Sequence, residues 1–129
     1  MRVHRGAVAV VIAVAALVAF CGQVMAGAPQ SKLTRVVYVT TTKACACTLK
    51  RCQVADAVVA QVFSGARQRL LTRLDVATNK DVARPYIQNY RVFALPALLM
   101  FDAQGKLLWS AQGELDKDEV AFKLGEFGG

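Results

Sequence analysis

Residues 36–52 read VVYVTTTKACACTLKRC, an apolar stretch followed closely by three cysteines. The β-branched and aromatic residues 36–40 predict a strand that is buried on both faces. From Thr48 onward, apolar residues recur at helical spacing as far as Phe63, and Ser64-Gly65 ends the pattern. This stretch therefore predicts a strand that leads into an amphipathic helix, with the cysteines at the start of the helix.

The next part of the chain predicts a second strand and a second helix. The strand covers residues 70–76, and Asn79 is the expected cap of the helix. Pro85 has no N–H to donate and its ring crowds the preceding turn, so we expect it to kink the helix or to restart it at Tyr86.

The last part of the chain predicts a hairpin and a final helix. Two apolar runs, residues 97–101 and 106–110, flank the turn sequence Asp-Ala-Gln-Gly at 102–105. Gly113 follows, and apolar residues between Leu115 and Phe127 mark the last helix. The predicted order is βαβαββα, which is an α/β domain.

The composition fits one compact domain and argues against a disordered or low-complexity chain. The chain has 129 residues, 55% hydrophobic and 19% charged, with 16 basic and 9 acidic side chains. Beyond the first 26 residues the basic side chains are scattered, without the interleaved aromatics of nucleic-acid binders. We therefore expect no nucleic-acid partner, and a basic surface that favours acidic partners or anionic membranes.

The start of the sequence has the pattern of a signal peptide. Arg2 and Arg5 precede an apolar run at 7–20, and Val24-Met25-Ala26 supplies a cleavage site. We expect residues 1–26 to be the signal peptide, 27–32 a short flexible lead-in, and 33–129 the domain. The expected location is therefore outside the cytoplasm, in a bacterial periplasm. The alternative is that the leader is retained. We expect the protein to contact the membrane only in that case, through the leader.

Three thiols remain after the leader, namely Cys45, Cys47 and Cys52. In an exported protein an odd number of cysteines means that one intramolecular disulfide leaves one thiol free. That thiol can react, pair with another molecule or bind metal. A thiolate at a helix N-terminus is stabilised by free backbone N–H groups and the helix dipole, so its pKa should fall. The sequence has a single histidine, His4, which excludes Cys/His zinc sites from the domain.

Taken together, the chain resembles the thioredoxin superfamily. The cysteines lie between a strand and the first helix, and residues 90–101, YRVFALPALLMF, are similar to the family's helix end, loop, cis-proline and following strand. Residues 102–106 leading to Gly113 are similar to its hairpin and terminal glycine. The resemblance covers residues 33–127. It implies a three-layer sandwich with a central mixed four-stranded sheet flanked by helices.

The resemblance also implies a function, an enzyme that exchanges disulfides with protein thiols or disulfides and needs no cofactor. It gives Cys45 the nucleophile's position, with Cys47 or Cys52 as the resolving thiol. In a rival register Cys47 is the nucleophile and Cys52 its partner. Leu95 and Pro96 are implied to shape the substrate groove.

The sequence departs from the family's pattern in ways that bear on this function. Thr48 stands where the family has its second cysteine, Ala44 stands where it has tryptophan, and residues 36–40 contain no carboxylate where thioredoxins bury one. Asp75, at the end of the second strand, is expected near the site as a solvated surface group or as a proton acceptor.

The alternative function is a thioredoxin-like module that binds metal. Three thiolates, Cys45, Cys47 and Cys52, suit soft Cu(I) best. The distinguishing residue is Cys52, because disulfide exchange could proceed without it and a three-sulfur site could not. The sequence favours no particular oligomeric state.

Overall fold

The computed structural model describes residues 31–129, and the predicted order of elements is found there. The predicted signal peptide, 1–26, and lead-in residues 27–30 lie outside the described residues. The strands are β1 (Leu33–Thr40), β2 (Leu71–Asp75), β3 (Ala97–Asp102) and β4 (Leu107–Gln112). The helices are α1 (Ala46–Val62), α2 (Lys80–Asn89) and α3 (Lys117–Glu126), with a short 3-10 helix (Gly65–Leu70) before β2.

The four strands form one mixed sheet in the order β2-β1-β3-β4. β1 runs parallel to β2, with Val37 opposite Thr72, and antiparallel to β3, with Val37 opposite Leu99. β3 and β4 form the predicted antiparallel hairpin. Its turn is closed by the Asp102 carboxylate, which accepts hydrogen bonds from the backbone N–H groups of Gln104 and Lys106, both at 2.9 Å.

The sheet separates two apolar cores, because alternate residues of a strand point to opposite faces. On one face Tyr38, Leu98 and Met100 pack with α1 and α3, through residues such as Val59 and Val120. On the other face Val37, Leu99 and Phe101 pack with α2 and the segment that follows it. The central strands β1 and β3 are covered on both sides, so the chain forms the predicted three-layer sandwich.

Two details of α2 differ from the prediction. The helix runs from Lys80 to Asn89 without a break at Pro85. Pro85 is exposed, so the carbonyl that it leaves without a partner can bond water on the outer side of the helix. Asn79 does precede the helix, but its side chain makes no capping bond.

Within residues 31–129, each helix is too short or too polar to cross a membrane.

Candidate active site

Two exposed thiols lie side by side at the start of α1. Cys45 is the N-cap residue, with extended backbone angles, and its carbonyl accepts the N–H of Leu49 at 3.0 Å. The Cys45 Sγ lies 3.0 Å from the Cys47 Sγ and 3.2 Å from the Thr48 Oγ1. Both thiols are exposed. The position where the resemblance places a second cysteine thus holds a hydroxyl, and the nearest sulfur is one residue earlier.

These contacts make Cys45 an acidic thiol. The hydrogen bond with Cys47 is the largest cause, and the Thr48 hydroxyl and backbone N–H add to it; together they lower the pKa of Cys45 to about 7. A large share of this thiol is therefore thiolate, the nucleophilic form, near neutral pH.

Cys52 lies apart from the other two thiols. It is only 3% exposed, on the inward face of α1 that it shares with Ala55, Val59 and Val62. Five residues of continuous helix rise about 7.5 Å between Cys47 and Cys52, and they turn the two side chains to different sides. Because a disulfide needs Cα atoms closer than about 7 Å, neither Cys47 nor Cys45 reaches Cys52 while α1 keeps this form.

The position of Cys52 in the structure differs from two predictions made from the sequence. Cys52 is not brought to the thiol pair, either as resolving thiol for Cys45 or as partner of Cys47 in the rival register. The three-thiolate Cu(I) site is not assembled either: in the part of the chain that the structure describes, no group of three Cys, His, Asp or Glu side chains is placed to hold a metal ion. The spacing of Cys52 from Ala55 and Val59 is the sequence signal that indicates its burial.

Asp75 fixes the loop that carries Cys45. Its carboxylate accepts bonds from the Thr42 Oγ1 at 2.7 Å, the Thr42 N–H at 3.1 Å and the Ala77 N–H at 2.9 Å. These bonds, that of the Thr42 hydroxyl first, hold the pKa of Asp75 below its usual value. Asp75 therefore serves as an ionised loop anchor at the end of β2 in this structure.

The two predicted groove residues lie at the start of β3. Leu95 is half-buried and Pro96 is buried, and the peptide bond between them is cis. The Pro96 carbonyl accepts a hydrogen bond from the N–H of Gly113 at 2.7 Å, which ties the segment to the residue after β4. Gly113 has φ 79°, a conformation that glycine adopts without strain.

A cleft of about 640 Å³ opens beside Cys47, between α1 and the segment after β4. Its walls are mainly apolar, and Lys50, Arg51 and Glu114 are its charged members. Val54, which helical periodicity places among the core residues of α1, is instead 58% exposed and lines this cleft. The lining residues are Cys47, Lys50, Arg51, Val54, Gly113, Glu114 and Leu115.

Two side-chain networks near the site have no sequence signal, because they join residues far apart in the chain. Beneath α1, Tyr38 donates a hydrogen bond to Asp56, which also pairs with Arg73. At the end of β4, the Gln112 side chain bonds to the backbone of residues 91–94. The carboxylate that accepts the hydrogen bond of Tyr38 therefore comes from α1 rather than from β1.

Comparison with solved structures identifies the fold. A malarial protein superposes with a TM-score of 0.53 at 15% identity, over 75% of this chain and 98% of its own. Thioredoxin-2, a component of the malaria parasite protein secretion machinery, gives 0.50 at 18% identity, over 74% of this chain and 84% of its own. No protein-family model matches the sequence, and the comparison with curated proteins gives no significant match.

The fold class follows from the architecture together with these likenesses. Residues 31–129 have a thioredoxin-like α/β fold, as the sequence resemblance implies. What distinguishes it from the family's pattern is its thiol pair, Cys45 and Cys47, separated by one residue.

Proposed function

We propose that this protein is a thiol–disulfide oxidoreductase that exchanges disulfides with protein partners, with Cys45 as nucleophile and Cys47 as resolving thiol. The observation that carries the proposal is the 3.0 Å contact between the two sulfurs at the start of α1. The exposure of both thiols gives partners access to them. The lowered pKa of Cys45, about 7, supplies the nucleophile.

The reaction consists of two exchange steps. The Cys45 thiolate attacks one sulfur of the partner's disulfide, forms a mixed disulfide and expels the partner's other sulfur as thiolate. The Cys47 thiolate then attacks the Cys45 sulfur, forms the Cys45–Cys47 disulfide and releases the partner's second thiolate. Two electrons pass to the partner, whose thiolates take up the two protons that the cysteines lose. The reverse sequence oxidises a partner dithiol.

The equilibrium between the dithiol and disulfide forms of the Cys45–Cys47 pair favours transfer of the disulfide to partners. A disulfide between residues 45 and 47 closes a very small ring, so it should be strained and more easily reduced than a relaxed one. The acidic Cys45 stabilises the reduced form, which also makes a disulfide more oxidising. We therefore propose a role as oxidant or isomerase in preference to general reductant.

Trapping experiments with single variants test the proposal. The reduced protein is mixed with a disulfide-bonded protein, and products are followed by intact mass after acid quenching. We expect Cys47→Ser to accumulate a mixed disulfide at Cys45 that dithiothreitol removes, and Cys45→Ser to form none.

The matched control is Cys52→Ala, which removes the one buried thiol of residues 31–129 and should complete exchange as the wild type does. The proposal fails if Cys45→Ser retains exchange, or if Cys52→Ala folds but no longer exchanges disulfides.

We also propose that the domain works outside the cytoplasm, where disulfides persist. The support is the leader pattern in residues 1–26, which lie outside the described part of the chain. Expression of the full chain in a bacterium, followed by fractionation and N-terminal sequencing, tests this. Recovery from the periplasm with Gly27 first supports export and cleavage. Recovery from the cytoplasm contradicts the proposal, and recovery from the membrane with residue 1 or 2 first indicates a retained leader.

A further inference from the structure

The side chain of Gln112 holds the segment that precedes Pro96. Its Oε1 accepts the backbone N–H of Phe93 at 2.8 Å and that of Ala94 at 3.4 Å, and its Nε2 donates to the carbonyl of Arg91 at 3.1 Å. Arg91 has φ 51°, in the left-handed region that residues other than glycine rarely adopt. One amide thus satisfies three backbone groups of an irregular segment.

Gln112 and its neighbour hold this segment from both sides of Leu95. Gln112 bonds residues 91–94, while the Gly113 N–H bonds the Pro96 carbonyl at 2.7 Å. A Cβ placed on Gly113 would lie 3.6 Å from the Ala94 Cβ and 3.8 Å from Arg51 Nη1. Since Arg51 and Gly113 both line the cleft beside Cys47, the segment and the cleft are continuous at this point.

The residue that this arrangement exposes is an aromatic one. Phe93 is 86% exposed, the most exposed of the large apolar side chains in the described residues, although its backbone N–H is firmly bonded. Phe93 itself does not line the cleft; it precedes Ala94, which faces Gly113, while Val54 is an exposed apolar side chain of the cleft wall, at 58%. A side chain whose backbone is already fixed loses less conformational freedom on binding, so it is suited to contact a partner.

We propose that Gln112 is a positioning residue that presents Phe93 to an apolar side chain of an extended polypeptide while a cysteine of that polypeptide reacts at Cys45. The inference rests on the proposed function and names the substrate class of the same site. Gln112 contacts no reacting atom; it acts through residues 91–94. A polypeptide is the expected occupant because the surface is built from three separate segments of the chain, at Cys47 on α1, at Gly113 after β4 and at Ala94 before β3. Lys50 and Arg51 against Glu114 leave the charged groups of the cleft with a net positive charge.

The test compares two peptide disulfides with one small disulfide. The peptides have the same length and charge and differ only in one residue near the reacting cysteine, leucine in one and serine in the other; glutathione disulfide is the small probe. For the wild type we expect a kcat/KM about tenfold higher for the leucine peptide, the size of effect that partial burial of one apolar side chain gives.

The variants separate a positioning role from a merely structural one. Gln112→Met keeps the length of the side chain without the amide, and should raise KM for the leucine peptide to that for the serine peptide. Its kcat, its rate with glutathione disulfide and the pH midpoint of Cys45 alkylation should stay unchanged. Gln112→Glu retains the acceptor for Phe93 and loses the donor to Arg91, so it should keep part of the preference.

Two further variants test the contact itself. Phe93→Ser should abolish the preference without affecting glutathione disulfide. Val82→Ser is the matched control, since Val82 is 56% exposed on α2, and it should keep the full preference.

The outcomes distinguish this inference from the proposed function. A wild type that exchanges no disulfide at all contradicts the proposed function. A wild type that reacts with glutathione disulfide but treats both peptides alike overturns the inference only. Retention of the preference in folded Gln112→Met or Phe93→Ser overturns it as well, as does a Gln112→Met variant that slows glutathione disulfide to the same extent as the peptides.

Discussion

The hydroxyl of Tyr38 on β1 donates a 2.8 Å hydrogen bond to the carboxylate of Asp56 on α1. Arg73 on β2 pairs with the same carboxylate through its two terminal nitrogens, Nη1 and Nη2, each at 3.0 Å. The guanidinium carbon of Arg73 lies 5.5 Å from the centre of the Tyr38 ring. Tyr38 is fully buried, and burial raises the pKa of its hydroxyl well above the usual value. The network therefore fastens the helix that carries the thiols to two strands of the sheet.

Removal of the Tyr38 hydroxyl should weaken this attachment. We expect Tyr38→Phe to lower the free energy of unfolding by about 1 kcal/mol, because a partly buried hydrogen bond to a charged group is lost while Asp56 keeps Arg73. Urea denaturation measures the effect. Tyr86→Phe is the control, because the Tyr86 hydroxyl accepts only an exposed bond from Arg35 at 3.3 Å. Equal stability of Tyr38→Phe and the wild type would show that the bond contributes nothing.

A substitution at Thr40 should raise the stability of the fold rather than lower it. Thr40 is 1% exposed at the end of β1, and its Oγ1 lies near the Tyr38 hydroxyl but is the one buried side-chain oxygen or nitrogen in residues 31–129 without a hydrogen bond of normal geometry. Thr40→Val replaces the hydroxyl by a methyl group of similar size, so we expect stability to rise by about 1 kcal/mol. Thermal unfolding checks this, with Thr72→Val on the exposed face of β2 as control. A destabilised Thr40→Val would indicate that the hydroxyl has a partner in solution.

The reactivity of Cys45 should follow pH through neutrality. With a pKa of about 7, its alkylation rate should rise with pH and level off above that value. Cys47→Ala should move the midpoint upward, because the largest cause of the lowered pKa is lost, and Thr48→Val should move it in the same direction. Rapid-quench alkylation with mass detection gives the midpoints. An unchanged midpoint in both variants would contradict the assignment of these contacts.

Asp75 should stabilise the fold in a pH-dependent way. Because its pKa is lowered in the folded protein, its contribution is present at neutral pH and is lost as pH falls through the folded-state pKa. We expect Asp75→Ala to melt a few degrees lower than the wild type at pH 7, an effect on the order of a few °C because the group is near the surface. The gap should close in acid. Asp81→Ala, at an exposed acid of α2, should change little; a gap that stays constant with pH would refute the electrostatic account.

The equilibrium of the thiol pair with glutathione should show an oxidising disulfide. The small ring and the acidic Cys45 both favour the reduced form, so we expect a reduction potential less negative than about −270 mV, the value typical of thioredoxin. Redox buffers of known composition, acid quenching and mass analysis give the potential. Cys52→Ala should leave it unchanged. A potential at or below that value would assign the protein to the reductants.

The sequence predicts the order of elements because each is specified locally. The strand at residues 36–40, the turn at 102–105 and the glycine at 113 all carry their signals within a few residues. The change from a strand pattern to a helix pattern likewise predicts that the cysteines lie at the start of α1. Pro85 does not break α2 because it lies on the exposed side of the helix, where the freed carbonyl is accessible to water.

The site is less predictable where it depends on contacts between distant segments. Gln112 bonds residues up to 21 positions away, and Tyr38 finds its carboxylate 18 positions along the chain. Cys52 is a different case, because its spacing from Ala55 and Val59 already indicates burial. Its proximity in sequence to Cys45 and Cys47 suggests instead that it belongs to the site, so the two signals conflict.

The acidity of Cys45 arises within one helical turn, from Cys47 and Thr48. The surface beside it arises from segments near residues 94 and 113, which meet only while β3 and β4 are both in place. Partial opening of the sheet that spares the first turn of α1 would leave the acidic thiol in place and separate the segments at residues 94 and 113. Under the proposed function, loss of tertiary structure would therefore cost discrimination between partners before it cost reactivity, and a loosened copy would be an indiscriminate thiol reagent.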